Sequence, residues 1–343
     1  MSKTMTVLVT GASGVVGTAL LSRLRDVDVV CLVHRSPVSG SHVRRVRGDV
    51  SVQRFGLGVR AYARLVEQVD AVIHCAAVTD FNRTDGTLEA TNVAGTQHVV
   101  DFAAAARATL YHVSTAFVNT TSDGERGRTA AGYAASKLQS EELVRGAGVS
   151  HVVFRPSVVI GASETGEIAA FQGLHHVVAG IFAGVVPLIP FDPSWPIDFL
   201  PCDVVADAIA CVIENGVTDG EFWVTVGEQA LRLEEAVGIC VDLARELGAA
   251  VDVPQFVPPE TFDRLIGPVF LEALPQRVRQ SVTHMLEFFT TYLRSGETKP
   301  SSLAALAALG MRPPPDPRES LRTSLQYWAQ RKGYPRVHAT KVA

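Results

Sequence analysis

Nothing in this chain of 343 residues sets cysteines close enough together to ligate a metal or exchange a disulfide. Cys31, Cys75, Cys202, Cys211 and Cys240 are scattered and several lie in apolar runs, the pattern of buried reduced thiols, which points to a cytoplasmic protein. A surplus of positive charge is missing as well. With 31 Lys and Arg against 35 Asp and Glu the formal balance is -4, so no broad basic field exists to follow a nucleic-acid backbone, and no nucleic-acid partner is expected. The opening MSKTMTVLVT passes straight into an apolar strand, without the hydrophobic segment and small-residue cleavage site of an export signal. Internal repeats and low-complexity linkers are also absent, and 47% hydrophobic with 19% charged residues is the composition of a globular chain.

One long stretch, residues 168–191, contains no Asp, Glu, Lys or Arg. Gln172, His175, His176, Pro187 and Pro190 interrupt it, which argues against a transmembrane segment and for the apolar wall of a substrate pocket; loose attachment to a membrane surface is the weaker alternative. His175 and His176 point to different faces of a helix and no third ligand accompanies them, so no metal is expected.

What the sequence does contain is an alternation of β-branched runs with longer helical patterns, the sign of a parallel sheet wrapped on both faces. Strands are predicted over residues 7–9, 29–33, 71–75, 110–113 and 152–154. Between them SGVVGTALLSRLR, VRAYARLVEQ, ATNVAGTQHVVDFAAAAR and YAASKLQSEELVRG carry apolar residues at spacings of three and four. After Arg155 the alternation fades into Pro-containing apolar segments and a few helices such as CDVVADAIACVIEN and LEEAVGICVDLARELG. The expected fold is α/β: a Rossmann-type doubly wound parallel sheet over residues 1–160, with a smaller, mainly helical C-terminal substrate lobe over 161–343, of which 197–227 return to the Rossmann core. A helical segment from Thr261 to Gly296 is also predicted, with Phe288, Phe289 and Tyr292 as a packing face.

Directly after the strand TVLV comes Thr10-Gly11-Ala12-Ser13-Gly14-Val15-Val16-Gly17 and then a helical stretch. Glycines spaced by three permit a tight strand-to-helix turn, close approach of backbone to a pyrophosphate, and close packing of helix on strand. Free N–H groups and the positive dipole end at the helix start then face the phosphates. The second strand ends in Val33-His34-Arg35-Ser36, with no Asp or Glu to accept hydrogen bonds from the ribose hydroxyls of NAD and with Arg35 placed to meet a 2′-phosphate. NADP(H) is therefore the expected cofactor in preference to NAD(H), with Ser13 as a second phosphate contact.

Further along, Tyr133-Ala134-Ala135-Ser136-Lys137 opens a helical segment in which Tyr133 and Lys137 share one face. A phenol titrating near ~10 is a poor proton carrier at neutral pH unless a cation stabilises its phenolate, which Lys137 can supply. Just upstream, His112-Val113-Ser114-Thr115-Ala116-Phe117-Val118 puts hydroxyls at a strand's carboxyl end, where one can hydrogen-bond a substrate oxygen that gains charge during hydride transfer.

The TGxxGxxG loop followed by Tyr133-x-x-x-Lys137 resembles the short-chain dehydrogenase/reductases of the extended kind. That resemblance implies an NAD(P)-dependent oxidoreductase whose catalytic set is Thr115, Tyr133 and Lys137; the family's pattern aligned on VSTAFV selects Thr115, with Ser114 as a backbone partner at the strand end. It implies further that Gly48-Asp49-Val50 contacts adenine, that Cys75-Ala76-Ala77 after His74 lies beside the cofactor ribose, that Asn92 is the helix asparagine, that Val113 borders the cofactor, and that the turn Pro156-Ser157-Val158 after Arg155 approaches the nicotinamide. Within the superfamily HCAAVTDF, TNVAGT, HVSTAFVN and the series Ile197-Asp198-Phe199-Leu200-Pro201-Cys202-Asp203 look most like the branch of thioester reductase domains and fatty acyl reductases. This implies NADPH reduction of an acyl thioester, carried on CoA or a carrier protein, to an aldehyde or an alcohol. No adenylation or carrier domain is legible in these residues, so the thioester is expected to arrive on a separate partner. The fold is also that of ketone or secondary-alcohol dehydrogenases and of nucleotide-sugar epimerases and dehydratases, and a non-catalytic NADP-binding sensor or scaffold is the alternative of another class. The chain is compatible with oligomerisation.

Overall fold

The computed structural model describes residues 4–79, 85–118, 128–258 and 296–334, with a few single positions between 259 and 295. In chain order the elements are β1 (Thr6–Thr10), α1 (Val15–Leu21), β2 (Asp28–Val33), β3 (Val43–Arg47), α2 (Val59–Gln68), β4 (Ala71–His74), α3 (Gly95–Ala106), β5 (Thr109–Val113), α4 (Arg128–Gly146) and β6 (His151–Pro156). They continue with β7 (Val158–Ile160), α5 (Gly173–Phe182), β8 (Leu188–Ile189), β9 (Pro196–Ile197), β10 (Phe199–Pro201), α6 (Cys202–Glu214), β11 (Gly220–Val224), β12 (Leu231–Arg232), α7 (Leu233–Glu246), β13 (Gln255–Phe256), α8 (Leu303–Ala308) and α9 (Pro317–Arg331).

Seven strands form one parallel sheet in the order β11-β6-β5-β4-β1-β2-β3. Its central strands are apolar on both faces because helices cover both. Leu8, Val30, Val72, Leu110 and Val153 pack with Leu65, Val99 and Phe102 of α2 and α3. Their neighbours Val7, Val9, Ile73, Tyr111 and Phe154 face the opposite way, onto Leu20 of α1 and Val205, Ile209 and Val212 of α6. The strand order reverses between β1 and β4, which opens a crevice at their carboxyl ends, where ligands sit in open α/β sheets.

Two strands of this sheet went unread in the sequence. β3 is Val43-Arg44-Arg45-Val46-Arg47, an edge strand whose only buried side chain is Val43, so its arginines mask the strand while guarding the edge from pairing further. β11 starts on Gly220 at φ +134 and its residues are mostly half-exposed, a weak strand signal that is fixed by pairing with β6.

A second core lies beyond the carboxyl ends of the strands. Ile160, Phe182, Ile189, Leu233, Leu243, Leu325 and Trp328 cluster there, with Trp328 edge-on to Phe182 at 5.0 Å. α7 packs on α9 and on α5, and three two-stranded ladders, β7 with β10, β8 with β13 and β9 with β12, stitch the connections. The charge-poor stretch 168–191 supplies α5 and β8, and among the described residues no helix is long and apolar enough to cross a membrane. Most of the predicted helix from Thr261 to Gly296, including Phe288, Phe289 and Tyr292, lies outside the described residues.

Candidate active site

The glycine loop is dictated by its own contacts. Gly11 has φ +70, and a Cβ there would stand 2.4 Å from the Ala76 backbone nitrogen, so the loops after β1 and β4 can only touch through a glycine. A Cβ on Gly17 would lie 2.2 Å from the Gly11 carbonyl oxygen and 2.7 Å from Ala12 Cα, which makes Gly17 the contact that lets α1 lie against the loop. Gly14 precedes α1 in extended geometry, and no side chain caps the helix start.

Two connected hollows follow from this loop. A groove of about 730 Å³ runs over the carboxyl ends of β1 and β2 and is lined by Gly11, Ser13, Gly14, His34, Arg35, Asp49, Val50, Cys75, Ala76 and Ala77 among others. A deeper cavity of about 310 Å³ holds Val15, Val16, Gly17, Val113, Thr115, Tyr133, Lys137, Pro156, Ser157 and Val158, and shares Gly11, Gly14, Cys75 and Ala77 with the groove. The groove and cavity fit a dinucleotide. The backbone cradle at Gly11 and Gly14 closes if a Cβ is added at Gly11, Arg35 and His34 stand at one end, and Thr115, Tyr133 and Lys137 stand at the other.

Ala12 and Asn92, expected to contact the cofactor, are not among the residues that line either hollow. Ala12 is 1% exposed and its Cα is the floor against which Gly17 packs. Asn92 is 1% exposed in a π-turn, Glu89–Ala94, that leads into α3. Its side chain is consumed by structure: Oδ1 accepts from Val78 N at 2.8 Å, while Nδ2 donates to Val78 O and to Ser136 Oγ, each at 3.1 Å. Asn92 therefore fastens the loop after β4 to the helix that carries Tyr133.

At the end of the groove beside Arg35, the Asp49 carboxylate is already engaged. Oδ1 accepts from Ser51 N and Oγ at 2.9 and 2.8 Å, and Oδ2 faces His34 Nε2 at 3.2 Å. Burial alone would raise the Asp49 carboxyl; the Ser51 hydrogen bonds with the nearby His34 and Arg35 hold it below the usual range instead. Arg35 and Ser36 line the groove and are exposed.

In the cavity Thr115, Tyr133 and Lys137 are 5%, 7% and 2% exposed, and the Tyr133 and Thr115 side chains share a hydrogen bond. Lys137 Nζ donates to the Val113 carbonyl at 2.8 Å, which places the ammonium at the carboxyl end of β5. Burial pushes Lys137 down to about 8 against the raising effect of Glu141. Tyr133 moves opposite to the direction expected from a neighbouring lysine: burial pushes it up to about 12, outweighing the Thr115 hydrogen bond.

The Ser114 N–H donates to Phe154 O at 2.7 Å. The turn Pro156-Ser157-Val158 is set by Ser157 N to Val224 O at 3.1 Å and Val158 N to Asp198 O at 3.2 Å. The buried Asp198 carboxylate in turn accepts from Val226 N and Gly227 N at 3.1 and 3.0 Å.

A buried polar chain under the loops was not read in the sequence. Thr96 Oγ1 donates to Asn92 O at 2.6 Å, so the 3.1 Å contact with His74 Nε2 is a bond from the imidazole N–H, and His74 Nδ1 must accept from Thr10 Oγ1 at 2.7 Å. Burial keeps His74 neutral, pushed down to about 3. The chain runs from the glycine loop to the Asn92 turn. Its signal was present: Thr10, His74 and His112 are polar residues ending apolar strands in register.

The far wall of the cavity is Phe117 with Ala170, Gln172, Gly173, Leu174 and His175 at the start of α5, where the charge-poor stretch was expected to line a pocket. His175 is tied down there, its Nδ1 accepting from Gln172 N at 3.0 Å and its ring 4.8 Å from Phe171. Among the described residues no group of three or more His, Cys, Asp or Glu is placed to hold a metal.

With this geometry in view, residues 34–209 match the family described as Male sterility protein. A polyketide synthase-nonribosomal peptide synthetase of Aspergillus flavipes is 30% identical over 239 residues, covering 61% of this chain but only 6% of that protein, so the chain spans a small part of the relatives it matches. The terminal R domain from the myxalamid PKS-NRPS biosynthetic pathway superposes with a TM-score of 0.76 at 23% identity, covering 98% of this chain and 94% of the domain. The reductase (R) domain of a nonribosomal peptide synthetase from Mycobacterium tuberculosis gives 0.70 at 23% identity, covering 96% and 92%. These two likenesses show a shared fold. The chain belongs to the Male sterility protein family, among the NAD(P)-dependent oxidoreductases of the extended short-chain dehydrogenase/reductase kind.

Proposed function

We propose that this protein is an NADPH-dependent reductase of acyl thioesters, carried on CoA or on the phosphopantetheine arm of a carrier protein, giving an aldehyde or, after a second reduction, an alcohol. The observation that carries the reading is the hydrogen-bonded pair Thr115 and Tyr133 beside Lys137, set in an apolar-walled cavity that opens onto the dinucleotide groove. The relatives' names, polyketide synthase-nonribosomal peptide synthetase and reductase domain, support a carrier-borne substrate.

The dinucleotide, when bound, supplies the hydride. Arg35 and His34 meet its 2′-phosphate, and the glycine loop meets its pyrophosphate. Lys137 holds the ribose side of the nicotinamide half, and the turn Pro156-Ser157-Val158 shapes the floor of the cavity. Thr115 orients the substrate carbonyl oxygen, and Tyr133, protonated at neutral pH, gives that oxygen its proton as charge develops. The product of the first addition is a hemithioacetal, whose collapse breaks the C–S bond and releases thiol and aldehyde. Phe117, Leu174 and the rest of the α5 wall exclude water from this step.

The test is NADPH consumption on a panel of acyl-CoA and carrier-bound thioesters, ketones and nucleotide sugars, with wild type and Tyr133→Phe. Turnover of thioesters, reduced by roughly 10²- to 10⁴-fold in the variant with NADPH binding intact, is the expected result. Turnover confined to ketones or nucleotide sugars overturns the substrate assignment, and full activity in Tyr133→Phe overturns the proton donor. Tight NADPH binding without any turnover would point to a sensor.

A further inference from the structure

The buried face of α4 is polar where a helix against a sheet is ordinarily apolar. Tyr133, Ser136, Lys137, Ser140, Glu141 and Val144 share it, and Tyr133, Lys137, Glu141 and Arg145 succeed one another at intervals of four. Tyr133 and Lys137 face the cavity. Glu141 does not, yet its side chain is fully buried.

Glu141 is clasped from two directions. Arg155 of β6 donates from Nε to Oε1 at 3.0 Å and from Nη2 to Oε2 at 2.7 Å, and Arg145 donates from Nη2 to Oε2 at 2.7 Å. Glu221 of β11 closes the cluster, with Arg155 Nη1 at 2.9 Å, and the Arg155 guanidinium lies 4.7 Å over Trp223. The residue after Arg155 is Pro156, the first of the turn that floors the cavity. One carboxylate thus joins the catalytic helix to the strand leading into that turn.

It is also the counter-charge of Lys137. The titratable groups facing Lys137 are His74 of β4, Cys75 just beyond it, His112 of β5, and Tyr133 and Glu141 of its own helix. Burial holds both histidines neutral, and it pushes the Cys75 thiol up to about 12 and the Tyr133 phenol to about 12, so neither is charged. Among the described residues in that group Glu141 alone carries a charge at neutral pH. Burial by itself would raise its carboxyl, but the Arg155 guanidinium, together with the Ser114 hydroxyl and Arg145, holds it below the usual range.

We propose that Glu141 is a positioning residue that holds Lys137 in its charged form, so that the alkaline limit of the enzyme's activity is set one helical turn away from the cavity. The effect on activity rests on the reading under Proposed function; the effect on Lys137 does not.

The test exploits a chain with five lysines, Lys3, Lys137, Lys299, Lys332 and Lys341. With lysine labelled at the ε-carbon, each gives one NMR signal, and Lys137 is assigned by its loss in Lys137→Met. In Glu141→Gln the Lys137 titration should fall by about one pH unit, the low end for an opposite charge at this range because Arg155 and Arg145 offset part of it. The alkaline limb of turnover should move with it. Glu221→Gln removes an outer partner of the same arginines but leaves Glu141, and should leave the Lys137 titration in place. An unchanged titration in Glu141→Gln, or an equal shift in Glu221→Gln, overturns the proposal by making the cluster a scaffold only. If Glu141→Gln does not fold, the pair Glu141→Gln with Arg155→Gln leaves no unpaired buried charge; Lys137 should again titrate below wild type, by less, and an unchanged value refutes the proposal. Absence of turnover on every thioester would sink the proposed substrate while leaving the NMR result to stand or fall alone.

Discussion

Replacing Arg35 with glutamine isolates the feature on which the cofactor assignment turns. No acid ends β2, and the nearest carboxylate, Asp49 after β3, is engaged by two hydrogen bonds from Ser51 and by His34. A 2′-phosphate at this end of the groove would therefore meet Arg35 and His34 without an uncommitted carboxylate to repel it, while a bare ribose gains little from Arg35. A charge-assisted hydrogen bond contributes ~1.5–3 kcal/mol. Arg35 is exposed, so screening by water takes the figure to the low end of that range or below it, about 1–2 kcal/mol or ~5- to 30-fold in Kd. Titration of the wild type and Arg35→Gln with NADPH and with NADH, followed by cofactor fluorescence, measures this directly. The NADPH affinity should fall by that factor and the NADH affinity should stay within about twofold, with the NADPH loss shrinking as salt is raised. Equal losses for both cofactors, or no loss for NADPH, would refute the argument and leave Arg35 as a solvated side chain.

Gly17→Ala puts a Cβ 2.2 Å from a backbone oxygen that has no flexible end to move aside, so α1 must shift; a loss of ~1–3 kcal/mol in stability and at least about tenfold in dinucleotide affinity is expected from urea midpoints and NADPH titration. Stability should also fall on mild acidification. His74 and His112 are held neutral in the fold, His74 at about 3, whereas unfolded they take a proton below ~6.5, so each contributes stability that is full above ~6.5 and is lost as pH falls. Between pH 6.5 and 5 the loss is about 1.6 kcal/mol for His74, with His112 adding to it in the same direction, visible as a falling urea midpoint, and a flat profile across that window would show that the imidazoles are not buried neutral.

The central strands were legible because burial on both faces leaves an uninterrupted apolar run, as in Val7-Leu8-Val9 and Ala71-Val72-Ile73. The edge strand β3 was not, since its arginines are placed by what lies outside the sheet, not by what it packs against. The groove and cavity were legible because glycine at 11 and 17 is a steric necessity written into the chain, and because Tyr133 and Lys137 share a helix face. The partners of Asn92 were not legible: a buried asparagine at a π-turn bonds to Val78 and Ser136, and only coordinates reveal which groups its amide reaches. The α5 wall could be anticipated as apolar, but not that it would stand across the cavity from Thr115, a placement made by the long connection from β7.

The opposed shifts of Tyr133 and Lys137 have one cause with a chemical consequence. Desolvation disfavours whichever form is charged, so it keeps the phenol neutral up to about 12 while drawing the ammonium down to about 8. At pH 7 both groups hold their protons, and the phenolate fraction is on the order of 1 in 100,000. A site that must accept a proton from an alcohol would begin from that rare form. A site that gives a proton to a carbonyl oxygen begins from the form already present. On the proposed reading, burial of the pair leaves the proton donor in the form from which a carbonyl reduction starts, and Glu141 keeps the lysine charged beside the phenol to higher pH.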